Sequence, residues 1–316
     1  MDRFNHAIVL GTGMMGPGIA VSLALGGLEA VIVSRTFDRA CAALDKAQRH
    51  LDELEKHGLI EPGASDAALE RLSATADMDA ACAVTDLIVE SIPENLEMKQ
   101  ALFEHLGRIA EPETVLATNT SGLSVTAIAS RCKRPERVMT MHFWNPPHVM
   151  PLVELVKGEK TSRPLMEEVR AMLNRCGKTA VIVEKDRRGQ LGNRLQMALW
   201  REAVHIVEEG IATAEEVYLA AKTGFGLRLP VLGIFEHADA VGLDMVADIM
   251  DYVGEDLYRE AKAPPLLRRT IGEGRLGVKS GAGFYDWSKK SFDEVRERRD
   301  GFLYEFLAAR RRRDPE

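Results

Sequence analysis

At 316 residues, with 46% apolar content and a formal net charge of −7, the chain is long enough for two domains with real cores. It lacks the basic face that a nucleic-acid partner requires. Cys41, Cys82, Cys132 and Cys176 share no metal-ligand spacing and read as reduced thiols of a cytoplasmic protein, with no metal centre expected. No run of eighteen apolar residues offers a membrane span, and Ala7 to Leu10 is too short for a secretory segment.

In chain order, short apolar runs alternate with helical patterns. Ala7 to Leu10, Ala30 to Val33, Leu87 to Glu90, Val115 to Thr118, Val138 to Met141 and Ala180 to Val183 predict six strands of a parallel, doubly wound α/β sheet. Between Phe37 and His57, Ala40, Ala43, Leu44, Ala47, Leu51 and Leu54 recur at helical spacing above a charged face, and Glu61-Pro-Gly-Ala-Ser65 turns that helix into a hairpin. After Lys185-Asp-Arg-Arg-Gly189 the strand-like runs stop and helical periodicity takes over at Leu195, Leu199, Ala203 and Val207. This predicts a Rossmann-type domain over residues 1–186 and an all-helical domain over 187–316. The basic run Arg310 to Arg313 reads as a solvated helix end, where cations complement the dipole.

The first strand runs into Gly11-Thr12-Gly13-Met14-Met15-Gly16, the spacing of a dinucleotide turn. In that reading Gly11 permits the tight turn, Gly13 lets backbone approach a pyrophosphate, and Gly16 lets helix and strand pack closely. Phosphates then lie at a helix N-terminus, and Pro17 is tolerated in its first turn. The second strand ends in Ser34-Arg35-Thr36, where a carboxylate for the ribose hydroxyls of NAD is expected. Two readings stand: Arg35 pairs with the 2′-phosphate of NADP, or it is a solvated loop residue and NAD binds without the acid.

Ligands of such a sheet bind beyond the carboxyl ends of its strands, and the polar groups fall there. Glu90-Ser-Ile-Pro-Glu94-Asn95 follows one strand, Asn119-Thr-Ser121 the next, and His142 with Asn145 the one after. Histidine suits the base that removes a hydroxyl proton, because it titrates near neutrality. Glu154, set among Leu152, Val153, Leu155 and Val156, would be costly to bury without a partner. It is therefore the candidate to orient the imidazole; the alternative places it on the exposed face of an amphipathic strand.

With these residues the chain resembles the L-3-hydroxyacyl-CoA dehydrogenase family. The matching blocks run Gly11 to Gly18, Glu90-Ser-Ile-Pro-Glu-Asn-Leu-Glu-Met-Lys99, Asn119-Thr-Ser-Gly122, His142-Phe-Trp-Asn-Pro146 through Glu154, Gly192-Asn193-Arg194 and Lys279-Ser-Gly-Ala-Gly-Phe-Tyr285. The resemblance implies hydride exchange between NAD or NADP and the 3-hydroxyl of a small-molecule substrate. His142 would be the base, Glu154 its partner, and Ser121 and Asn193 the groups on the substrate oxygen. Glu94, Lys99, Ser121, Asn145 and Lys279 would contact the cofactor, and the helical domain would form a homodimer, with the active site in the cleft.

The departures bear on substrate. Arg188-Gly189-Gln190-Leu191 stands where the family usually has Pro-Gly-Phe, and Leu227-Arg228-Leu-Pro where it has a segment like Pro-Met-Gly-Pro. The long helix that carries serine and lysine contacts to coenzyme A in acyl-CoA enzymes here presents His50, Asp52, Glu53, Glu55, Lys56 and His57. The runs Asn145-Pro-Pro-His148 and Gly158-Glu-Lys-Thr161 resemble relatives that oxidise free hydroxy acids or hydroxymethyl aromatics, where Arg228 or Arg188 would hold a carboxylate. Three expectations follow: an L-3-hydroxyacyl-CoA dehydrogenase, the same chemistry on a free acid, or a noncatalytic dinucleotide-binding protein.

Overall fold

In the computed structural model, which describes residues 3–313, eight strands form one sheet. They are β1 (His6–Leu10), β2 (Glu29–Val33), β3 (Leu72–Thr75), β4 (Leu87–Glu90), β5 (Val115–Thr118), β6 (Val138–Phe143), β7 (Leu152–Lys157) and β8 (Thr179–Val183). Their spatial order is β3-β2-β1-β4-β5-β6-β7-β8, so the first six strands carry the dinucleotide-binding order with its reversal between β1 and β4. Every residue of β4, β5 and β6 is buried, as expected of strands covered by helices on both faces.

The sheet departs from the all-parallel expectation at one edge. β7 pairs antiparallel with β6, and β8 parallel with β7, so the run expected at Ala180 to Val183 is a strand in the reverse direction. The cause is the short connection after Phe143: a parallel return needs a crossover of a dozen residues or more, usually helical, and none precedes Leu152. Strand β3 was not expected, because Leu72-Ser-Ala-Thr75 carries a single large apolar residue.

The described residues also form fourteen α-helices: α1 (Gly16–Leu25), α2 (Phe37–Lys56), α3 (Ala64–Leu69), α4 (Met78–Ala83), α5 (Leu96–Ile109), α6 (Val125–Ile128), α7 (Arg163–Arg175), α8 (Leu191–Glu208), α9 (Ala214–Thr223), α10 (Phe225–Arg228), α11 (Ile234–Val241), α12 (Leu243–Gly254), α13 (Pro265–Gly272) and α14 (Phe292–Arg313). None is long and apolar enough to cross a membrane. Several starts are set locally. Asn95 accepts from Met98 N–H before α5, Ser162 caps α7, and Thr213 with Glu216 closes a reciprocal capping box on α9.

Strand alternation sorts the core into two layers. Ala7, Val9, Ala30, Ile32, Val89, Ala117, Met139, Met141 and Phe143 pack with α1, α2 and α7. Ile8, Leu10, Ile88, Leu116, Val138 and Val156 point the other way, onto Phe103 and Leu106 of α5. The period of two then puts Glu90, Thr118, His142 and Glu154 on this second face, near one end of the sheet. Four polar side chains thus continue an apolar surface, and each needs a partner.

The chain divides into two compact units, one running to Asn193 and resuming at Arg299, the other Arg194–Arg298. In the first unit, Leu303, Tyr304 and Leu307 of α14 pack against the first core layer. Tyr304 stacks on His57 with ring centroids 4.3 Å apart, and Arg311 pairs with Glu61 at 2.8 Å. The second unit is wholly helical apart from isolated bridges at Gly277, Ala282 and Asp286.

Candidate active site

His142 and Glu154 are opposite residues in the antiparallel β6–β7 ladder, so the backbone delivers both side chains to the same face. The imidazole Nδ1 lies 2.7 Å from Glu154 Oε2; His142 is 6% exposed and Glu154 fully buried. Trp144 Nε1 donates to the same oxygen at 2.9 Å, and the Gly192 N–H, in the first turn of α8, donates to Oε1 at 2.8 Å. Burial pushes the Glu154 carboxyl up, but the hydrogen bonds from His142, Gly192 and Trp144 outweigh it and hold it below the ordinary carboxylate range. An ionised carboxylate only accepts, so Nδ1 carries the hydrogen, and in the neutral imidazole the lone pair then lies on Nε2.

Trp144 and Gly192 were not singled out as partners of Glu154. Trp144 follows β6 by one residue, and a buried indole N–H needs an acceptor. Gly192 is required by shape, because a Cβ there would come within 2.5 Å of the Trp144 ring. The next residue, Asn193, donates from Nδ2 to the Ser121 carbonyl at 3.0 Å, and Ser121 is exposed. Asn119 bonds the neighbouring loop to the strand, its Oδ1 accepting from Phe143 N–H at 2.8 Å.

Beside this lies a second network. Glu90 is fully buried at the end of β4 and accepts from Lys99 Nζ at 2.5 Å, Thr118 Oγ1 at 2.6 Å and Ile92 N–H at 2.7 Å. Lys99, expected at the cofactor, is 1% exposed and committed to Glu90, with Glu94 Oε2 at 3.4 Å. Glu94 also accepts from Thr120 Oγ1 and from Gly122 N–H at 3.3 Å. It is partly open to solvent, as is Asn145. Lys279 belongs to the second unit, exposed on the turn Val278–Ser280.

The glycine turn has the divided labour its spacing suggests. Gly11 has φ 128°, and a Cβ on it would strike the Ser91 carbonyl; a Cβ on Gly16 would strike the Gly11 carbonyl. Around Gly13 nothing lies within 4 Å of that position, so no part of the protein demands glycine there. Met15 packs on the core, Thr12 is half-buried, and Met14 is 76% exposed. Ser34 follows β2 with its N–H on the Thr75 carbonyl, and Arg35 is exposed.

Residues 6–187 match the 3-hydroxyacyl-CoA dehydrogenase NAD binding domain, and residues 189–287 match the C-terminal domain of the same enzymes. The chain belongs to the 3-hydroxyacyl-CoA dehydrogenase family. Among its relatives, the 3-hydroxybutyryl-CoA dehydrogenase of Clostridioides difficile is 35% identical, over 89% of this chain and 99% of that one. The solved structure of (S)-3-hydroxybutyryl-CoA dehydrogenase from Ralstonia eutropha superposes with a TM-score of 0.74 at 31% identity, over 90% of this chain and 99% of that one. A 5-formyl-3-hydroxy-2-methylpyridine 4-carboxylic acid 5-dehydrogenase, an NAD+ dependent dismutase, superposes with a TM-score of 0.86 at 28% identity, over 98% of both chains.

Family membership gives the open space at Gly13 a ligand to fit. Gly13→Ala is expected to raise the cofactor KM by about tenfold or more with little change in Tm, whereas Gly16→Ala lowers Tm. Dinucleotide titration and thermal melts on the two variants check this, and a destabilised Gly13→Ala variant would refute it.

Proposed function

We propose that this protein is a nicotinamide-dependent dehydrogenase that exchanges a hydride with the 3-hydroxyl of an L-3-hydroxyacyl-CoA such as 3-hydroxybutyryl-CoA. The observation that carries this is the in-register His142–Glu154 pair, whose carboxylate holds Nδ1 as donor and leaves Nε2 to take a proton. Glu154 acts as the positioning residue and stabilises the imidazolium that forms. Ser121 and Asn193, joined by a hydrogen bond, would hold the substrate oxygen.

Gly11, Thr12, Gly13, Met14, Met15 and Gly16 would cradle the cofactor phosphates, with Ser34 and Arg35 at the adenosine ribose and Glu94, Asn145 and Lys279 as further contacts. When bound, the nicotinamide supplies the hydride acceptor. Arg35 supports tolerance of NADP as well as NAD. Arg35→Ala is expected to lower kcat/KM for NADP by about tenfold or more, as for a lost charge-assisted bond, and to leave NAD nearly unchanged. A strong preference for NAD in the unmodified protein would remove the phosphate-pairing role.

A second reading, the same chemistry on a free hydroxy acid or hydroxymethyl aromatic acid, is favoured by one observation. The likeness to the pyridine dehydrogenase covers 98% of the chain, against 90% for the 3-hydroxybutyryl-CoA enzyme. In this chain Leu303, Tyr304 and Leu307 of α14 pack on the first core layer, and Tyr304 covers His57 of the α2–α3 hairpin. Initial rates with acetoacetyl-CoA and with free oxo and hydroxy acids, each with both cofactors, separate the readings. Turnover of the CoA ester but not of free acids is expected, and the reverse pattern establishes the second reading.

A homodimer is supported by the second unit. Helices α8, α9, α10, α11 and α12 contain no fully buried residue, and Phe235 and Tyr252 are 83% and 84% exposed. Apolar surface on that scale marks an association face, and light scattering would find twice the chain mass. The free cysteines, three of the four buried, are in keeping with a reducing, cytoplasmic setting.

A further inference from the structure

Away from His142, helix α2 presents His50 and Glu53, three residues apart and therefore on one face, with Nδ1 of His50 4.0 Å from Glu53 Oε2. The connection between β6 and β7 brings His148 onto the same spot. Its ring stacks on that of His50 with centroids 3.8 Å apart and planes 19° from parallel. One donor atom from each of the three side chains lies within 4.8 Å of the other two. The Nδ1 atoms of both histidines are buried and have no hydrogen-bond partner among the described residues, a costly state for any polar atom.

We propose that His50, Glu53 and His148 form a binding site for one divalent transition-metal ion of the zinc, cobalt or nickel class, which ties α2 to the β6–β7 connection. The donor set decides the class. Two imidazoles and one carboxylate form a set that zinc uses, with a fourth position left for water. Calcium and magnesium prefer oxygen donors throughout, and cuprous copper prefers sulfur. Donors at about 2.1 Å from a tetrahedral ion stand roughly 3.4 Å apart, so the site closes by about 1 Å on binding and the stacked rings tilt until their lone pairs converge.

The surroundings allow this. Glu53 is exposed and His50 half-buried, so both can swing inward. Lys178, the cation near His148, is held on the carbonyls of Pro147 and Met150 at 2.6 and 3.2 Å. Lys46 and Arg49 are the other cations near His50. No spacing signal marks this site in the sequence, because its third ligand lies 95 residues beyond the second in the chain.

The test uses the untagged, chelator-treated protein titrated with Co2+, followed by Zn2+ competition and thermal melts. One equivalent of Co2+ with visible d–d absorption is expected, displaced by Zn2+, together with a Zn2+-dependent rise in Tm. In His50→Gln both signals should vanish, and in Glu53→Gln the affinity should fall by about tenfold or more. His148 packs on Gly18 and its replacement risks the fold, so the two α2 variants carry the test. Absence of the band in the unmodified protein, its persistence in both variants, or thiolate charge-transfer absorption would each overturn the proposal. It is independent of the dehydrogenase reading.

Discussion

Replacing His142 by glutamine is expected to lower kcat by about a hundredfold to ten-thousandfold, the usual range for loss of a general base, while the Kd for the reduced cofactor stays close to that of the unmodified enzyme. The separation is built into the geometry. Glu154 keeps its bonds from Trp144 and Gly192 when the imidazole goes, so two of its three donors remain and the buried charge is not abandoned. The glycine turn lies on a different strand and takes no support from His142. Steady-state rates with acetoacetyl-CoA, beside fluorescence titration of the reduced cofactor, read the two quantities independently. A variant with near-normal kcat would remove His142 from the mechanism.

Replacing Lys99 by methionine is expected to destabilise the fold by about 3–5 kcal/mol, the cost of leaving one member of a buried ion pair uncompensated. Glu90 is fully buried, and Thr118 and Ile92 supply hydrogen bonds but no charge. Urea unfolding measures the loss directly, and the double variant Glu90→Gln with Lys99→Met should recover much of it, because both charges are then gone. Cofactor kinetics on the same Lys99→Met variant decide what Lys99 is for. A raised cofactor KM with unchanged stability would make it a ligand contact instead of a structural cation.

What could be read beforehand depended on how local the signal was. The glycine turn is legible because three residues and one following helix carry the whole geometry. Glu154 was conspicuous because a carboxylate among Leu152, Val153, Leu155 and Val156 has to find partners. The reversed direction of β7 and β8 was not legible, since an apolar run has the same composition in either direction. Strand β3 was too short and too polar to register. Trp144 and Gly192 escaped as a pair because their relation to Glu154 spans 48 residues and exists only after the sheet and α8 have formed. The resemblance implies a cofactor contact at Lys99, and its buried pair with Glu90 was not legible, because nothing in a helix sequence tells an inward lysine from an outward one until its acidic partner is placed.

The ladder between β6 and β7 has a further consequence for how this protein can vary. His142 faces Glu154 because the main-chain register makes them opposite numbers, so their alignment is inherited from backbone pairing and not negotiated by the side chains. A one-residue slip in such a pair turns every side chain of a strand to the other face, which would set Val153 or Leu155 against the imidazole. A single deletion inside either strand abolishes the pairing outright. Lineages descended from this chain are thus confined in the strands, and a designer grafting the pair elsewhere must carry the ladder with it.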